Sequence, residues 1–401
     1  MTSLTTAPER PAIRWRPHAA LLSFGVFAVG TDGFVIAGLL PAIAGSLHVS
    51  VAAAGQLVTV FAISYAVLAP VLAALTASWS RRAVLVTALA VFTIGNAVTA
   101  LAPGYGLVLA SRALAAAGAA LFTATATATA AMLAGERERG RAIAIVMLGS
   151  TTSLVFGAPL GTLVGGNLDW RATMWLVSGL GLLAVPGIAL WLPARGRGVS
   201  PGVRGYLAPL RNPRVVGLLV TTVVAFVGIY MPYTYISEIF APAIGHGPDA
   251  LAMLLLTFGI AGTLGNITAG HQADRRGARR VVIAVTLALG VVFALTPLAT
   301  GTIPAALVAV VLSGFFSFGV TTPQQHRIIA LTPSGQSLVT SLYQSAVYLA
   351  VSLSGAAGAL GLQAFGSQAL PLLAAVLVFA AAVLTVLLDR TRPGEGPAEA
   401  A

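Results

Sequence analysis

One acidic residue and one arginine lie deep inside the apolar segments of this chain. Asp32 is about 20 Å along a helix from the start of an apolar run at 19–44. Arg112 is about 10 Å into another run, at 105–133, counted from the opposite side of a hydrocarbon core about 30 Å thick. The two side chains therefore reach a similar depth. The free-energy cost of inserting an arginine at that depth is roughly 3 kcal/mol. We therefore expect Arg112 to have an interaction partner or a functional role.

A buried carboxyl group beside an arginine is subject to two opposing effects. Burial disfavours the charged form, whereas the arginine favours it. A carboxyl group under both effects can load and release a proton as water reaches it from alternate sides, which would make Asp32 and Arg112 a proton-coupling pair. Two other interpretations remain open: a static ion pair that holds helices together, and an Arg112 that extends to the membrane interface.

The remaining residue types argue against several other kinds of site. The chain has no cysteine, so it has no disulfide and no thiolate metal site. It also has no lysine, which excludes a phosphate-binding G-x-x-x-x-G-K-[ST] loop. We find no metal-ligand cluster and no nucleophile triad, so we expect neither an enzyme nor a cofactor. The net charge of +11 does not indicate a nucleic-acid partner, because the arginines lie in short segments between apolar runs.

The composition predicts that these residues are carried by membrane-spanning helices. Charged residues make up only 8% of the chain, against about 25% in soluble domains, and the mean hydropathy is +0.93. A spanning helix needs about 20 apolar residues. Twelve runs meet this length, at 19–44, 52–77, 83–102, 105–133, 141–166, 172–192, 214–240, 249–272, 279–300, 303–326, 336–363 and 369–388.

The arginines predict the orientation and the domain organisation. All but two of the 22 basic residues lie in segments on one side of the twelve runs; the exceptions are Arg112 and Arg171. Positive residues favour the cytoplasmic side, so both termini are predicted to be cytoplasmic in a bacterial inner (plasma) membrane. The predicted parts are a tail at 1–18, six-helix bundles at 19–192 and 214–388, a linker at 193–213 and a tail at 389–401.

The two six-helix halves resemble each other. The segment after the second run ends in Arg81-Arg82, and the segment after the eighth run ends in Arg279-Arg280. The fifth run contains a glycine-rich stretch from Gly157 to Gly161 with Pro159 inside it, and the eleventh run also carries paired glycines. An all-α membrane protein with pseudo-symmetric halves is typical of alternating-access transporters, which bind substrate between the halves.

Four stretches resemble a known family of transporters. Gly270–Arg280 matches the loop pattern G-x-x-x-D-R-x-G-R-R, and Thr31–Pro41 resembles G-T-x-E-F-x-x-x-G-L-L-P with Asp32 in place of Glu. Small residues recur every four positions from Gly149 to Gly165, and Arg112 matches a helix-4 arginine of the family. Over about residues 19–388 the chain resembles the major facilitator superfamily. It is especially similar to the twelve-helix drug:proton antiporters of the chloramphenicol-resistance and sugar-efflux branch.

The resemblance implies roles for particular residues. It implies proton coupling at Asp32 and Arg112, and a cavity formed by helices 1, 4, 7 and 10. The gating residues that it implies are Asp274, Arg275, Gly277, Arg279, Arg280, Gly157, Pro159 and Gly161. The candidate substrate-binding residues on the cavity helices are Phe34, Thr123, Thr127, Tyr230, Tyr233, Thr234, Phe315, Phe318 and Gln324. From the residues alone, the arginines could merely fix topology, the glycines could merely allow tight packing, and any single aromatic side chain could belong to the core.

The resemblance implies a proton-coupled secondary antiporter that exports a small amphiphilic molecule, with an amphenicol-like antibiotic as the leading candidate. It would act as a monomer in the bilayer, with protons and the small molecule as its partners. Efflux of a sugar, a nucleoside or another metabolite is the alternative within the same class. A membrane sensor or scaffold that transports nothing is the alternative from another class, and it predicts that Asp32 and Arg112 are dispensable for any flux.

Overall fold

The computed structural model describes residues 15–193, 208–245, 247–331 and 336–390. In this part of the chain, twelve helices are long and apolar enough to cross a membrane, as the sequence predicts. They are α1 (Trp15–Leu47), α2 (Val51–Leu75), α3 (Arg81–Leu101), α4 (Tyr105–Gly135), α5 (Arg137–Asn167), α6 (Trp170–Trp191), α7 (Pro213–Thr234), α8 (Pro248–Arg276), α9 (Ala278–Ala299), α10 (Ile303–Ala330), α11 (Val339–Phe365) and α12 (Ser367–Leu388).

The observed helix bounds differ from the predicted runs mainly at polar residues. The helix α5 begins at Arg137 rather than at 141, because the arginine-rich segment continues the helix toward water. The helix α7 ends at Thr234 rather than at 240, and two short helices, Ile236–Ile239 and Ala241–Ile244, follow it. Most of the predicted linker (194–207) and most of both predicted tails (1–14 and 391–401) lie outside the described residues.

Local sequence explains several of the helix boundaries. The Ser50 and Ser80 hydroxyls accept hydrogen bonds from the N–H groups of Ala53 and Ala83, and so cap the first turns of α2 and α3. Gly135 has a φ of 71°, which a residue with a side chain rarely adopts, and it separates α4 from α5. Large apolar side chains are exposed along the outer surface of the helices, which indicates contact with lipid.

Successive helices alternate in direction, so the arginine-rich segments gather at one end of the molecule. We call this the arginine end and the other the far end. At the arginine end, the indole of Trp15 donates a hydrogen bond of 2.7 Å to Glu138, which joins the starts of α1 and α5. Glu138 lies in the first turn of α5, and this contact links the two helices. At the far end, Arg171 donates to the hydroxyl of Ser46 and to the carbonyl of Ala102.

Small residues bring α5 against α1 within the first half. A Cβ atom on Gly149 would lie 2.1 Å from the carbonyl oxygen of Ser23, and one on Gly157 would lie 2.1 Å from the hydroxyl oxygen of Thr31. Gly161 stands similarly close to Val35. Small residues at this spacing let two membrane helices approach until their backbones nearly touch. The glycine pattern therefore packs α5 along the helix that carries Asp32.

Several close contacts between the two halves lie between the middle of the molecule and the far end. The hydroxyl of Tyr233 donates to the carbonyl of Phe34 over 3.1 Å. A Cβ atom on Gly55 would lie 2.1 Å from the hydroxyl oxygen of Tyr235, and one on Gly166 would lie 2.2 Å from Pro248. The part of α5 that packs against α8 is its second half, from Ser153 to Asn167. The far end is therefore closed by direct contact between the halves.

Candidate functional site

A buried ion pair joins α1 to α4 in the first half. Nη1 of Arg112 donates to Oδ1 of Asp32 over 2.6 Å, and the two side chains expose 1% and 0% of their surface. A bond this short is typical of a charge-assisted hydrogen bond. Arg112 is directed at Asp32 and does not extend to the far end. Removal of either partner would leave an uncompensated buried charge, at a cost of about 3 to 5 kcal/mol.

A third polar side chain, Asn96 of α3, completes the cluster. Its amide nitrogen lies 3.5 Å from Oδ2 of Asp32, and its amide oxygen accepts from Arg112 at 3.4 Å. The same nitrogen also donates to the carbonyl of Phe92 over 3.1 Å, which fixes the orientation of the amide. We call Asp32, Asn96 and Arg112 the polar cluster. Three helices thus place a carboxylate, an amide and a guanidinium together away from water.

The guanidinium of Arg112 is held firmly on one side only. Its central carbon lies 4.5 Å from the centroid of the Phe61 ring on α2, within the range of a cation–π contact. Its Nε atom is buried and has no hydrogen-bond partner among the described residues. The aspartate therefore provides the strongest single contact of this arginine, and loss of the negative charge on Asp32 would release it.

The segment of α5 behind Asp32 departs from regular α-helix. Ser153–Gly157 forms a turn of π-helix, a rare form that is frequent at functional sites. This turn packs against the residues just before Asp32: Ser153 lies against Gly30, and Gly157 lies against Thr31. Pro159 follows in the first turn of the next α-helical segment. The three gating candidates of α5 therefore lie on or just after this irregular turn.

Open space borders the helix next to the buried carboxylate. Gly33 is exposed, and a Cβ atom built on it would meet no atom within 4 Å. Its neighbour Asp32 is fully buried. An exposed position therefore lies directly next to the buried carboxylate along α1.

Aromatic side chains from both halves form a continuous cluster beside the same part of α1. The ring of Phe34 meets Tyr233 edge-on at a centroid distance of 6.0 Å, and Tyr233 in turn contacts Tyr230 and Phe258 at 6.4 and 5.0 Å. Phe258 then contacts Phe318 at 5.9 Å. We call these five residues the aromatic cluster. Four of the nine candidate binding residues belong to it, and Phe258 of α8 was not predicted.

The other candidate binding residues lie elsewhere. On α4, Thr127 donates to the carbonyl of Thr123, whose own hydroxyl is buried without a partner among the described residues. Thr234 is buried at the end of α7. Gln324 is also buried and donates to the hydroxyl of Thr222 at 3.0 Å, so it is engaged between α7 and α10. Phe315 lies in a separate groove between α8, α9 and α10.

Comparison with known proteins decides the family. The model of the Major Facilitator Superfamily matches residues 22–239 and again residues 218–401, which together cover both halves. The chain belongs to the Major Facilitator Superfamily. The resemblance seen in the sequence is therefore confirmed, and so is the predicted fold of twelve helices in two halves.

Several relatives share most of their length with this facilitator. It is 30% identical to the inner membrane transport protein YdhP of Escherichia coli, over 93% of this chain and 96% of that protein. It is 32% identical to a chloramphenicol resistance protein of Streptomyces lividans, over 92% and 95%. It is 31% identical to a chloramphenicol efflux pump of Mycobacterium tuberculosis, over 91% and 94%. These relatives identify it as a multi-pass transport protein of the inner membrane.

Solved structures share the fold of this facilitator. The nucleoside transporter NupG superposes with a TM-score of 0.77 at 13% identity, covering 94% of this chain and 100% of that one. A bacterial homologue of the lysosomal transporter Spinster, in an inward-facing and unoccupied conformation, gives a TM-score of 0.71 at 18% identity, with 94% and 98% covered. At these identities the likeness concerns the fold alone.

The loop between α8 and α9 holds the other gating candidates of the facilitator. Gly277 lies between α8 and α9 with a φ of 85°, so the backbone at this turn favours glycine. Asp274 is exposed and makes no ion pair or hydrogen bond with any residue that the structure describes. Arg275, Arg279 and Arg280 are exposed as well. Among the described residues, Asp274 therefore forms no ion pair with the arginines of this loop.

Sequence reasoning missed three residues that complete the site. Asn96 is an amide in an otherwise apolar run, so its residue type was a signal that could have been used. Phe61 and Phe258 gave no comparable signal, because a phenylalanine in an apolar helix is ordinary. Their contacts with Arg112 and Tyr233 depend on how the helices rotate, and a single sequence does not specify that rotation.

Proposed function

We propose that this transporter exports a small, neutral, partly apolar molecule of the amphenicol kind in exchange for protons. The observation that carries the proposal is the position of the polar cluster next to the aromatic cluster. Asp32 belongs to the first and Phe34 to the second, only two positions apart on α1. The relatives named for chloramphenicol resistance and efflux support the substrate class.

Proton uptake by Asp32 is the coupling step in this proposal. The charged carboxylate holds Arg112 at 2.6 Å and so ties α1 to α4. A proton on Asp32 removes the negative charge, and Arg112 then keeps only Phe61 and a long contact to Asn96. The tie between the two helices weakens, and the helices can shift relative to each other. Release of the proton on the other side of the membrane restores the ion pair.

Substrate binding is assigned to the aromatic cluster. Aromatic surface with a few hydrogen-bonding groups suits a ligand that is mostly apolar and uncharged. Tyr230 and Tyr233 supply hydroxyl groups, and Phe34 and Phe318 supply ring faces from opposite halves. Thr123 and Thr127 on α4 and Thr234 on α7 are further polar contributors. A cluster built from both halves is suited to sense a change in the contact between them.

The arginine end is assigned to the cytoplasm, with both termini on that side and the parts bounded as in the sequence analysis. The closed far end then makes this state inward-facing. Asp274 and the arginines of its loop pair when the arginine end closes; with the far end closed, Asp274 has no charged partner among the described residues. Gly157, Pro159 and Gly161 let the second half of α5 move against α1 in the same transition. The whole pathway lies within one chain, which acts as a monomer.

The test uses inverted membrane vesicles with an acid interior, read by a pH-sensitive dye. A panel of amphenicols, dyes, sugars and nucleosides is added to vesicles that carry wild-type protein or Asp32→Asn. The proposal predicts that an amphenicol dissipates the gradient with the wild type and not with Asp32→Asn.

Each other outcome rejects part of the proposal. Dissipation by a sugar or nucleoside alone would move the substrate to the metabolite class. Equal dissipation by both proteins would remove Asp32 from coupling. Passage of labelled compounds with no dissipation would show uncoupled transport, and the absence of all flux would favour a sensor or scaffold.

A further inference from the structure

A groove of about 420 Å³ lies between α8, α9 and α10 toward the arginine end. Its size falls within the range of about 300 to 1,000 Å³ that is usual for small-molecule sites. The helices α8 and α10 touch at Gly265, where a Cβ atom would meet the backbone of Phe315, and this contact closes the groove toward the far end. The residues that line the groove include Thr268, Gln272, Arg276, Arg280, Val285 and Phe315.

The mouth of the groove carries two positive charges, from Arg276 and Arg280. Arg276 ends α8 and Arg280 lies in the first turn of α9, and both are exposed. Neither makes an ion pair or a hydrogen bond with any residue in the described part of the chain. The lining contains no acidic residue. The charge of this mouth is therefore complementary to an anion.

The body of the groove is apolar and lies along membrane-spanning helices. Val281 and Val285 of α9 and Phe315 of α10 supply most of its wall, and Thr268 and Gln272 of α8 supply hydroxyl and amide groups. Thr268 and Ala284 are exposed, so the groove opens at the side of the molecule. A ligand that fits has an apolar chain for the wall and a negative head for the two arginines.

We propose that this groove binds an anionic phospholipid of the leaflet at the arginine end, with its phosphate at Arg276 and Arg280 and an acyl chain against Val285 and Phe315. The charge complementarity selects an anionic head, and the lateral opening selects a lipid over a soluble anion. The inference stands on the groove and its charges, and it does not depend on what the protein transports.

The test measures lipid binding to the full-length protein in detergent, by the polarisation of a fluorescent phosphatidylglycerol with a matched phosphatidylcholine for comparison. Phosphatidylglycerol is expected to bind the wild type more tightly than phosphatidylcholine. The double variant Arg276→Gln with Arg280→Gln lacks both positive charges of the mouth. It is expected to bind phosphatidylglycerol about thirtyfold more weakly than the wild type. The control is Arg211→Gln with Arg214→Gln, two exposed arginines at the same end that do not line the groove, and it is expected to bind as the wild type does.

A second variant tests the contribution of the acyl chain separately from that of the lipid headgroup. Ala284→Trp fills the apolar body and keeps both arginines, so it is expected to weaken phosphatidylglycerol binding at least tenfold. Equal binding by wild type and Arg276→Gln with Arg280→Gln would overturn the proposal. So would wild-type binding by Ala284→Trp, full displacement by millimolar inorganic phosphate, or displacement by chloramphenicol. Those last two results would indicate a soluble anion and a transported substrate, respectively.

Discussion

At the residue scale, the polar cluster is a buried site in which one negative and one positive charge compensate each other. The carboxylate of Asp32 and the guanidinium of Arg112 each compensate the other at 2.6 Å. Asn96 adds two longer contacts, and the Phe61 ring covers one face of the guanidinium. Buried ion pairs are weak contributors to stability but costly to break on one side only. The cluster therefore suits a site whose charge state controls helix packing.

A double substitution tests this charge balance. Arg112→Gln leaves Asp32 buried without its cation, so it is expected to destabilise the protein by about 3 to 5 kcal/mol. Adding Asp32→Asn to Arg112→Gln removes the orphaned charge, so most of the lost stability is expected to return. Thermal unfolding in detergent measures both effects. If the double variant is as unstable as Arg112→Gln alone, the charge balance is not what the cluster supplies.

The sequence predicts part of this site and leaves the rest open. Depth along two apolar runs was enough to pair Asp32 with Arg112, because charged residues are rare in membrane helices and conspicuous there. The resemblance and residue type placed Gln324 and Phe315 among the candidate substrate residues; in the structure Gln324 donates to Thr222, and Phe315 lines the groove between α8, α9 and α10. Residue type and depth do not fix the direction in which a side chain points around its helix.

At the element scale, the contact between α1 and α5 positions the polar cluster. Gly30, Thr31 and Asp32 follow one another on α1, and the π-helical turn of α5 packs against the first two. The glycines of α5 were predicted to allow a close approach between helices. The π-helical turn was not predicted, since the sequence Ser153–Gly157 has no breaker of its own before Pro159.

A pair of alanine substitutions measures the importance of this close approach. Gly157→Ala places a Cβ atom 2.1 Å from the hydroxyl oxygen of Thr31, so the Thr31 side chain must rotate or α1 and α5 must separate. Overpacking of this kind costs typically about 1 to 3 kcal/mol. The matched control is Gly179→Ala in α6, where a Cβ atom would meet nothing within 4 Å.

The expected result is a lower unfolding temperature and lower transport for Gly157→Ala, with Gly179→Ala equal to the wild type or slightly more stable. Thermal unfolding and uptake into vesicles measure the two effects. If both variants behave as the wild type does, the contact between α1 and α5 tolerates the added volume and the glycine is not needed for close packing.

At the scale of the whole molecule, closure of the far end defines the state of the transporter. Tyr235 lies against Gly55, Tyr233 donates to Phe34, and Pro248 lies against Gly166. The number and order of the spanning helices were predicted from apolar length and arginine position, and the described part of the chain contains the same twelve. The conformational state could not be predicted from the sequence, because the same sequence must be compatible with closure at the far end and with closure at the arginine end.

Introduced thiols report this closure, since the natural chain has no cysteine. Gly166→Cys with Pro248→Cys is expected to form a disulfide rapidly under mild oxidation and to stop transport, because the two positions touch in the closed far end. The comparison pair is Gly140→Cys with Gly270→Cys, on the same two helices toward the arginine end, and it is expected to react slowly. Equal rates for the two pairs would contradict a closed far end. Reduction of the disulfide is expected to restore transport.

Whether Asp32 couples protons to export can be measured by comparing two kinds of transport by purified Asp32→Asn protein in liposomes. Counterflow of a labelled amphenicol needs only alternating access, whereas uphill accumulation needs a proton gradient and coupling. Asp32→Asn is expected to retain counterflow near the wild-type rate and to lose accumulation. Accumulation at the wild-type level by Asp32→Asn would contradict the assignment of Asp32 as the residue that couples protons to export.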